Sequence, residues 1–187
     1  MTELDDDSLA LACQALRLGK VIAYPTEAVW GFGCDPDNEQ AVTRILTLKQ
    51  RAVEKGLILV ASSTDEIKPL LATLSASQRQ QLDATWPGPV TWLIPDQTQL
   101  YPNWIKGEHQ SVAIRLSDHP VVRALCRGFG GPIVSTSANR AGQPEIRSRL
   151  KLQQEFGPSI DYIVPGELGD AAAPSTIRDL LTGQVIR

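Results

Sequence analysis

Three hydroxyls and a carboxamide lie within five consecutive residues, Ser-Thr-Ser-Ala-Asn at positions 135–139. The apolar run Pro-Ile-Val precedes them, and the turn-forming run Arg-Ala-Gly follows. A buried strand that ends in polar side chains can direct them at a ligand from a rigid base. Side chains two residues apart point to the same side of a strand, so Ser135 and Ser137 should share a face. The segment predicts a site for a small polar molecule, although a polar strand end without function has the same composition.

A basic group forms the second candidate feature. Lys49, Arg51 and Lys55 follow one another closely, just after Arg44, and a second basic set follows the polar segment. That second set comprises Arg140, Arg147, Arg149 and Lys151. Guanidinium and ammonium groups are the usual partners of phosphate oxygens, whereas the alternative is a solvated helix end that complements the helix dipole. The net charge of −3 argues against a general nucleic-acid coat protein, so local clusters fit a small polyanion better.

Familiar nucleotide and hydrolase motifs are absent from the sequence. There is no G-x-x-x-x-G-K-[ST] loop and no G-x-S-x-G elbow, and Gly31-Phe32-Gly33 is only part of a dinucleotide fingerprint, which we interpret as a tight turn. The cysteines are three, an odd number without close spacing, and the two histidines have no companion at metal-binding spacing. We therefore predict no protein-built metal site and buried, reduced cysteines.

The elements that must position these residues can be read from periodicity and capping. Ser8 and Asn38 are candidate caps of two helices, the second of which leads to Lys49. Apolar or alternating runs at 20–24, 57–61, 111–116 and 133–134 predict strands. Strands interleaved with helices predict an α/β fold: a single domain with a large twisted mixed sheet flanked by helices. An acidic N-terminus and the lack of a long apolar run predict a cytoplasmic protein with no membrane association.

Three segments in order carry a family resemblance: Tyr-Pro-Thr-Glu at 24–27, Lys-Gln-Arg at 49–51, and the polar segment at 135–139. Together they resemble the YrdC family of threonylcarbamoyl-AMP synthases, in its short bacterial form. The resemblance implies one YrdC-like domain over residues 1–187, with a core from about 9 to 187. It also implies a nucleotidyltransferase that converts ATP, L-threonine and bicarbonate into threonylcarbamoyl-AMP and pyrophosphate. That reaction is the first step of threonylcarbamoyladenosine (t6A) modification of tRNA.

The resemblance assigns roles to individual residues. Lys49 and Arg51 would be the catalytic cations on the ATP phosphates. Further ATP contacts are implied for Lys55, Ser137, Asn139 and Arg187. Threonine contacts are implied for Thr26, Arg115, Ser135 and Ser175. The chain departs from the family pattern at Ala52 and Gly56, where many members have proline, and at Pro174, where glutamate is frequent, so the path of residues 52–56 is an open question.

The resemblance further implies that ATP is a substrate accompanied by Mg2+, which the phosphates would mainly hold. Transfer to tRNA would need partner proteins of the TsaB, TsaD and TsaE type, and direct RNA binding is possible. Two alternatives stay open at this stage. One is an RNA-binding or ribosome-maturation module that uses a basic concave face. The other is a carbamoyl-adenylate former like the related domain of hydrogenase maturation proteins, which sits in a longer chain with zinc-finger cysteines.

Overall fold

The structure, a computed structural model, describes residues 4–187 and contains one α/β domain built on an eight-stranded sheet. The strands are β1 (Ile22–Pro25), β2 (Trp30–Gly33), β3 (Ile58–Ala61), β4 (Val90–Pro95), β5 (Ser111–Leu116), β6 (Ile133–Ser137), β7 (Tyr162–Ile163) and β8 (Thr176–Asp179). The helices are α1 (Asp6–Arg17), α2 (Glu39–Lys49), α3 (Lys68–Leu71), α4 (Ala76–Asp83), α5 (Asn103–Lys106), α6 (Pro120–Phe129) and α7 (Arg149–Phe156). Short 3-10 turns occupy Val53–Lys55, Thr64–Ile67 and Gly157–Ser159.

The sheet is mixed, as the sequence predicts. Its strand order is β7-β1-β2-β6-β3-β5-β4-β8. The pairs β1–β7, β3–β5 and β4–β8 are parallel, and the other four pairs are antiparallel. Strand β6, which carries the polar segment, therefore lies near the centre of the sheet between β2 and β3.

The two faces of the sheet are covered unequally. Helices α2, α3, α4, α5 and α7 contribute to a large apolar core on one face, which includes Phe32, Trp92 and Ile114. On the other face, α1 and α6 form a smaller core against residues of β1, β3 and β6, including Tyr24 and Ile133. Because successive strand residues alternate between faces, Arg115, Ser135 and Ser137 point to this second face. The part of that face beyond α1 and α6 is open to form a cavity.

Side-chain caps explain where most of the helices begin. In one helix the cap is not the residue that the sequence predicted. Asn38 caps α2 as predicted, since its Oδ1 accepts the Ala41 N–H at 2.9 Å. Asp5, and not Ser8, caps α1: its carboxylate accepts the Ser8 N–H at 2.8 Å, so the helix begins earlier than predicted. Aspartate is an equally good cap and adds a negative charge at the positive end of the helix dipole.

The interpretation of Gly31-Phe32-Gly33 as a tight turn is wrong, because both glycines lie inside β2. A Cβ on Gly33 would lie 2.6 Å from the Tyr24 ring and 2.9 Å from the Val134 carbonyl oxygen. Glycine is required there because the neighbouring side chain and backbone pass so closely, which is a packing constraint and not a dihedral one.

The cysteines are buried and free, as predicted, and burial raises the pKa of the Cys34 and Cys126 thiols. Within residues 4–187, no helix combines the length and the apolar character needed to cross a membrane.

Candidate functional site

A cavity of about 860 Å³ occupies the open part of the second face of the sheet. Its floor includes Gly31 of β2, Val60 of β3, Leu93 of β4 and Ala113 of β5. Every residue that the sequence proposed for the site lines this one cavity. They are Thr26, Lys49, Arg51, Lys55, Arg115, Ser135, Ser137, Asn139, Ser175 and Arg187. Residues separated by more than a hundred positions in the chain are thus brought to a shared space, and their individual roles stay predictions.

The polar segment begins inside β6 and leaves it after Ser137, so the strand is longer than the predicted Ile133-Val134. Ser135 pairs with Ile58 of β3, and Ser137 pairs with Gly31 of β2. Asn139 folds back on the segment: its Oδ1 accepts the Ser137 hydroxyl at 2.6 Å, and its Nδ2 donates to the Gln143 carbonyl at 2.6 Å. The strand register therefore fixes both serines, and Asn139 holds the loop that follows.

Lys49 connects the end of α2 to this polar segment. Its Nζ donates to the Ser137 carbonyl and, at 3.0 and 3.2 Å, to the carbonyl and Oδ1 of Asn139. The residue is only 3% exposed. Burial and then the neighbouring Arg51 charge lower the pKa of Lys49 to about 8, against a smaller opposing effect of Glu145. The sequence marked Lys49 as a phosphate-binding cation but gave no sign that three protein oxygens also surround its ammonium group.

Three further cations lie at the same end of the cavity. Arg51 donates from Nη2 to the Gly56 carbonyl at 2.9 Å and to the Lys55 carbonyl at 3.3 Å. Burial and then the positive charge of Arg187 lower the pKa of Arg51. Arg187 donates from Nη2 to the Ser175 carbonyl at 3.2 Å. This end is a cationic region suited to a polyanion.

The loop at 52–56 has a defined path, and its two departures from the family pattern differ physically. Ala52 has φ −65°, which is the value that proline would impose. Gly56 has φ +60° and donates its N–H to the Val53 carbonyl at 3.0 Å, so proline could not replace it. A Cβ on Gly56 would also lie 2.8 Å from the Lys106 carbonyl oxygen. Glycine therefore allows this loop to pass directly against the end of α5.

Thr26 and Arg115 line the cavity as well. Thr26 donates its hydroxyl to the Val29 carbonyl at 2.7 Å, the turn contact that threonine often makes after proline. Arg115 forms an ion pair from Nη2 to Oε1 of Glu27 at 2.6 Å, and its Nε donates to the Gly88 carbonyl at 3.0 Å. The arginine is thus oriented by two protein acceptors before any ligand is considered.

Glu27 and Ser117 were missed by the sequence reasoning. Ser117 donates its hydroxyl to the same Oε1 of Glu27 at 2.6 Å. Burial opposes ionisation of Glu27, but the Arg115 charge and the Ser117 hydrogen bond outweigh it and hold the pKa of Glu27 below its usual range. The signal was available, since Glu27 follows Thr26 directly and Ser117 comes two residues after Arg115.

Ser175 lies beside the start of β8 and against β4, and it lines the cavity. Its Oγ lies 2.7 Å from Oγ1 of Thr91, and both side chains are buried. The neighbouring Pro174 also lines the cavity. The serine hydroxyl retains hydrogen-bonding capacity beyond this contact, because a hydroxyl has one donor and two acceptor positions.

The second basic set does not join the cationic end of the cavity. Arg140 pairs with Glu155 at 2.8 Å and stacks over the Phe156 ring at 5.0 Å, and Arg147 donates to the Ala172 carbonyl. Arg44 pairs with Asp161 at 2.5 Å. Neither Arg44 nor any member of the second basic set, including Arg149 and Lys151, is among the cavity-lining residues. Sequence proximity to the polar segment was a poor guide here, because Ala141, Gln143 and Glu145 of the same stretch line the cavity and the basic side chains do not.

Comparisons with known proteins identify the family of this chain. The sequence profile of the Sua5, YciO and YrdC proteins, described as "Telomere recombination", matches residues 14–187. The threonylcarbamoyl-AMP synthase of Chromohalobacter salexigens is 52% identical over 181 residues, which cover 97% of each chain. That of Cellvibrio japonicus is 54% identical over 176 residues, which cover 94% of this chain and 93% of the other.

Among solved structures, a crystal structure of P. abyssi Sua5 in complex with L-threonine superimposes with a TM-score of 0.91 at 28% identity. The match covers all of this chain and 55% of the other, so the chain spans about half the length of that protein.

Proposed function

Because the chain belongs to the Sua5–YciO–YrdC family, we propose that it is a threonylcarbamoyl-AMP synthase. It joins ATP, L-threonine and bicarbonate into threonylcarbamoyl-AMP and releases pyrophosphate. The observation that carries this assignment is that a single cavity brings together a group of cations and an oriented arginine beside hydroxyl groups. Arg51, Lys55 and Arg187 line it, together with Thr26 and with Arg115 in its ion pair with Glu27.

The chemistry needs no protein nucleophile. The threonine amine adds to CO2 with loss of a proton, or to bicarbonate with loss of water, and so forms a carbamate. A carbamate oxygen then attacks the α-phosphate of ATP, and the bond from the α-phosphorus to the bridging oxygen breaks as pyrophosphate leaves. Catalysis of such a transfer consists mainly of alignment and of neutralising charge on the phosphates. A cavity that positions a polyanion beside a small amino acid supplies both effects.

For the cationic end, we propose that Lys49 and Arg51 act on the ATP phosphates, with Lys55, Ser137, Asn139 and Arg187 as further ATP contacts. Support comes from their common position along the cavity wall and from the positive charge of Arg187, which acts on Arg51. Positive charge held in a partly buried site stabilises developing phosphate charge more than it would in water.

For the amino acid, we propose that Arg115 grips the threonine carboxylate and that Thr26, Ser135 and Ser175 contact the rest of the molecule. A guanidinium matches a carboxylate through two parallel hydrogen bonds, which fixes the orientation of the ligand as well as its affinity. Ser135 lies in the strand that also carries Ser137, so it can link the two substrate subsites.

A divalent ion would enter with ATP as part of the substrate. Residues 4–187 contain no group of three or more His, Cys, Asp or Glu side chains arranged to hold a metal ion. The donor set therefore does not fit a protein-built Mg2+ cage, and the phosphate oxygens would supply most of its ligands.

The product would serve the t6A modification of tRNA. An acyl adenylate is reactive and is consumed by transfer to a nucleophile, here the adenosine of a tRNA, so we place the protein in the cytoplasm beside the tRNA pool. The transfer itself would require partners of the TsaB, TsaD and TsaE type.

The test is to incubate the protein with ATP, threonine and bicarbonate and to measure pyrophosphate together with the adenylate by mass spectrometry. Pyrophosphate release should require both threonine and bicarbonate. Equal release without threonine would contradict the proposal. Salt-dependent RNA affinity without any ATP turnover would instead support the alternative of an RNA-binding module.

A further inference from the structure

Glu27 and its neighbour Thr26 join three parts of the fold beside the cavity: their own segment, β5 with the residue that follows it, and residues 169–171. Its carboxylate joins Arg115 at 2.6 Å and Ser117 at 2.6 Å, both on or next to β5. Its backbone carbonyl accepts the Ala171 N–H at 2.9 Å, and the preceding carbonyl, of Thr26, accepts the Gly169 N–H at 3.0 Å. The segment 26–27 is therefore fixed through both its backbone and its carboxylate.

The close approach of residues 169–171 confirms how tightly this segment is held. A Cβ on Gly169 would lie 3.0 Å from both the Cα and the carbonyl oxygen of Glu27. Glu27 can accordingly act as a fixed anchor, because little freedom remains in the backbone that carries it.

Arg115 depends on this anchor for its orientation. Its side chain is 11% exposed and that of Glu27 is 20% exposed, so water competes weakly for their ion pair. Arginine has a long side chain with considerable rotamer entropy, and a two-point grip on a carboxylate requires the guanidinium plane to be set in advance. Without Glu27, the contact of Nε with the Gly88 carbonyl would be the main constraint left from the contacts described above.

We propose that Glu27, supported by Ser117, is the positioning residue that orients Arg115 for the carboxylate of the amino-acid substrate. This inference rests on the proposed function, in which Arg115 binds the carboxylate of threonine. Glu27 is not the base that deprotonates the amine, because a carboxylate held this firmly in its ionised form accepts a proton poorly. Its effect on the reaction passes through the guanidinium.

The charge of Glu27 also has an electrostatic effect on substrate binding, which opposes the benefit of orienting Arg115. The negative charge of Glu27 reduces the attraction of Arg115 for a substrate carboxylate, so removing the charge alone would favour binding. Two substitutions separate position from charge. Glu27→Gln removes the charge and keeps an acceptor oxygen of the same reach, whereas Glu27→Ala removes both.

The experiment measures KM for threonine and for ATP separately in both variants. Glu27→Ala should raise the threonine KM by roughly tenfold or more, the usual size of losing a residue that orients a binding group, and should leave the ATP KM within about twofold. Glu27→Gln should raise the threonine KM less. Ser117→Ala should act in the same direction, with a smaller effect, since it removes one neutral donor to the carboxylate. Glu155→Ala, which breaks the ion pair with Arg140 away from the cavity, is the matched control and should change neither constant.

A double-mutant cycle completes the test. Arg115→Ala should raise the threonine KM by itself, and adding Glu27→Ala should raise it no further, because the residue acts only through the guanidinium. Additive effects, equal effects of the Gln and Ala variants, an unchanged threonine KM in Glu27→Ala, or an unchanged threonine KM in Arg115→Ala would each overturn the inference. Failure of the proposed function is separate, since it would appear as threonine-independent pyrophosphate release by the unmodified protein.

Discussion

The Nζ atom of Lys49 contacts Asn139 twice, at 3.0 Å from its carbonyl oxygen and at 3.2 Å from its Oδ1. One ammonium group thereby joins the end of α2 to the loop that leaves β6. Because the same group is nearly inaccessible to water, its charge acts on whatever occupies the cavity with little screening. The proton on Lys49 should therefore affect both substrate binding and the shape of the polar segment.

The first prediction concerns pH. The pKa of Lys49 is lowered from 10.5 to about 8, mainly by burial, so raising the pH through 8 removes its charge and one of its donated hydrogens. kcat/KM for ATP should fall with an apparent pKa near 8. Lys49→Arg should move that fall to higher pH, because a guanidinium stays charged, and Lys20→Arg on the exposed surface should not move it. An identical pH profile in Lys49→Arg would assign the titration to another group.

The same shift predicts the opposite trend for stability. The folded state releases the Lys49 proton at about pH 8, whereas the unfolded state keeps it up to about 10.5. Between these values the unfolded state binds more protons, so the contribution of this group to the free energy of unfolding should rise with pH. Chemical denaturation of the unmodified protein and of Lys49→Met at several pH values measures how the free energy of unfolding of each depends on pH. The two proteins should show the same dependence if Lys49 is not buried.

The second prediction concerns Arg51. Arg51→Ala should lower turnover by roughly 10²–10³-fold, the usual effect of losing one preorganised charge-stabilising donor. It should also lower the free energy of unfolding by about 1–2 kcal/mol, because the guanidinium donates to the carbonyls of Lys55 and Gly56. Arg149→Ala, an exposed arginine outside the cavity, is the control for both measurements. A variant that unfolds easily but keeps its specific activity would make Arg51 a structural residue.

The third prediction separates the two serines of β6. Ser135→Ala should raise the KM for threonine more than that for ATP, and Ser137→Ala should do the reverse. Each change should be at most about tenfold, as expected for one neutral hydrogen bond of roughly 0.5–1.5 kcal/mol. Ser137→Ala also removes the 2.6 Å hydrogen bond to Asn139. The rise in the KM for ATP in this variant should therefore be larger than the rise in the KM for threonine in Ser135→Ala. Equal effects of both variants on both substrates would indicate a general support for the loop.

The fourth prediction concerns the crossing of the loop at 53–56 with the end of α5. A Cβ on Gly107 would lie 2.2 Å from the Glu54 carbonyl oxygen, and φ there is +65°. Gly107→Ala should lower the free energy of unfolding by about 3 kcal/mol or more, from strain and steric overlap together. Gly130→Ala is a matched control, since φ is +98° but no atom lies within 4 Å of the added Cβ. Gly130→Ala should lower the free energy of unfolding by only about 1 kcal/mol. Similar losses in the two variants would show that residues 53–56 can move away from the end of α5.

Local sequence determined the elements well where the signal was itself local. Asn38 could be recognised as a cap, because this preference depends on a few adjacent residues. The alternation in Ser111–Leu116 likewise showed which side chains of β5 would be buried. The beginning of α1 was misjudged because Asp5 and Ser8 are both competent caps, and sequence alone does not rank them.

The candidate site also has some features that the sequence indicated and others that only the fold decided. The sequence supplied the residue types: hydroxyls on a strand, cations at a helix end, and a motif order that indicated the family. It did not show that Arg115 is paired with Glu27, that Lys49 is surrounded by oxygens of Ser137 and Asn139, or that the second basic set points away. Only the tertiary structure decided these points, because β6 is inserted between β2 and β3 and two helices cover only part of one face. Such contacts depend on strand order and register across the whole chain, and no local preference encodes them.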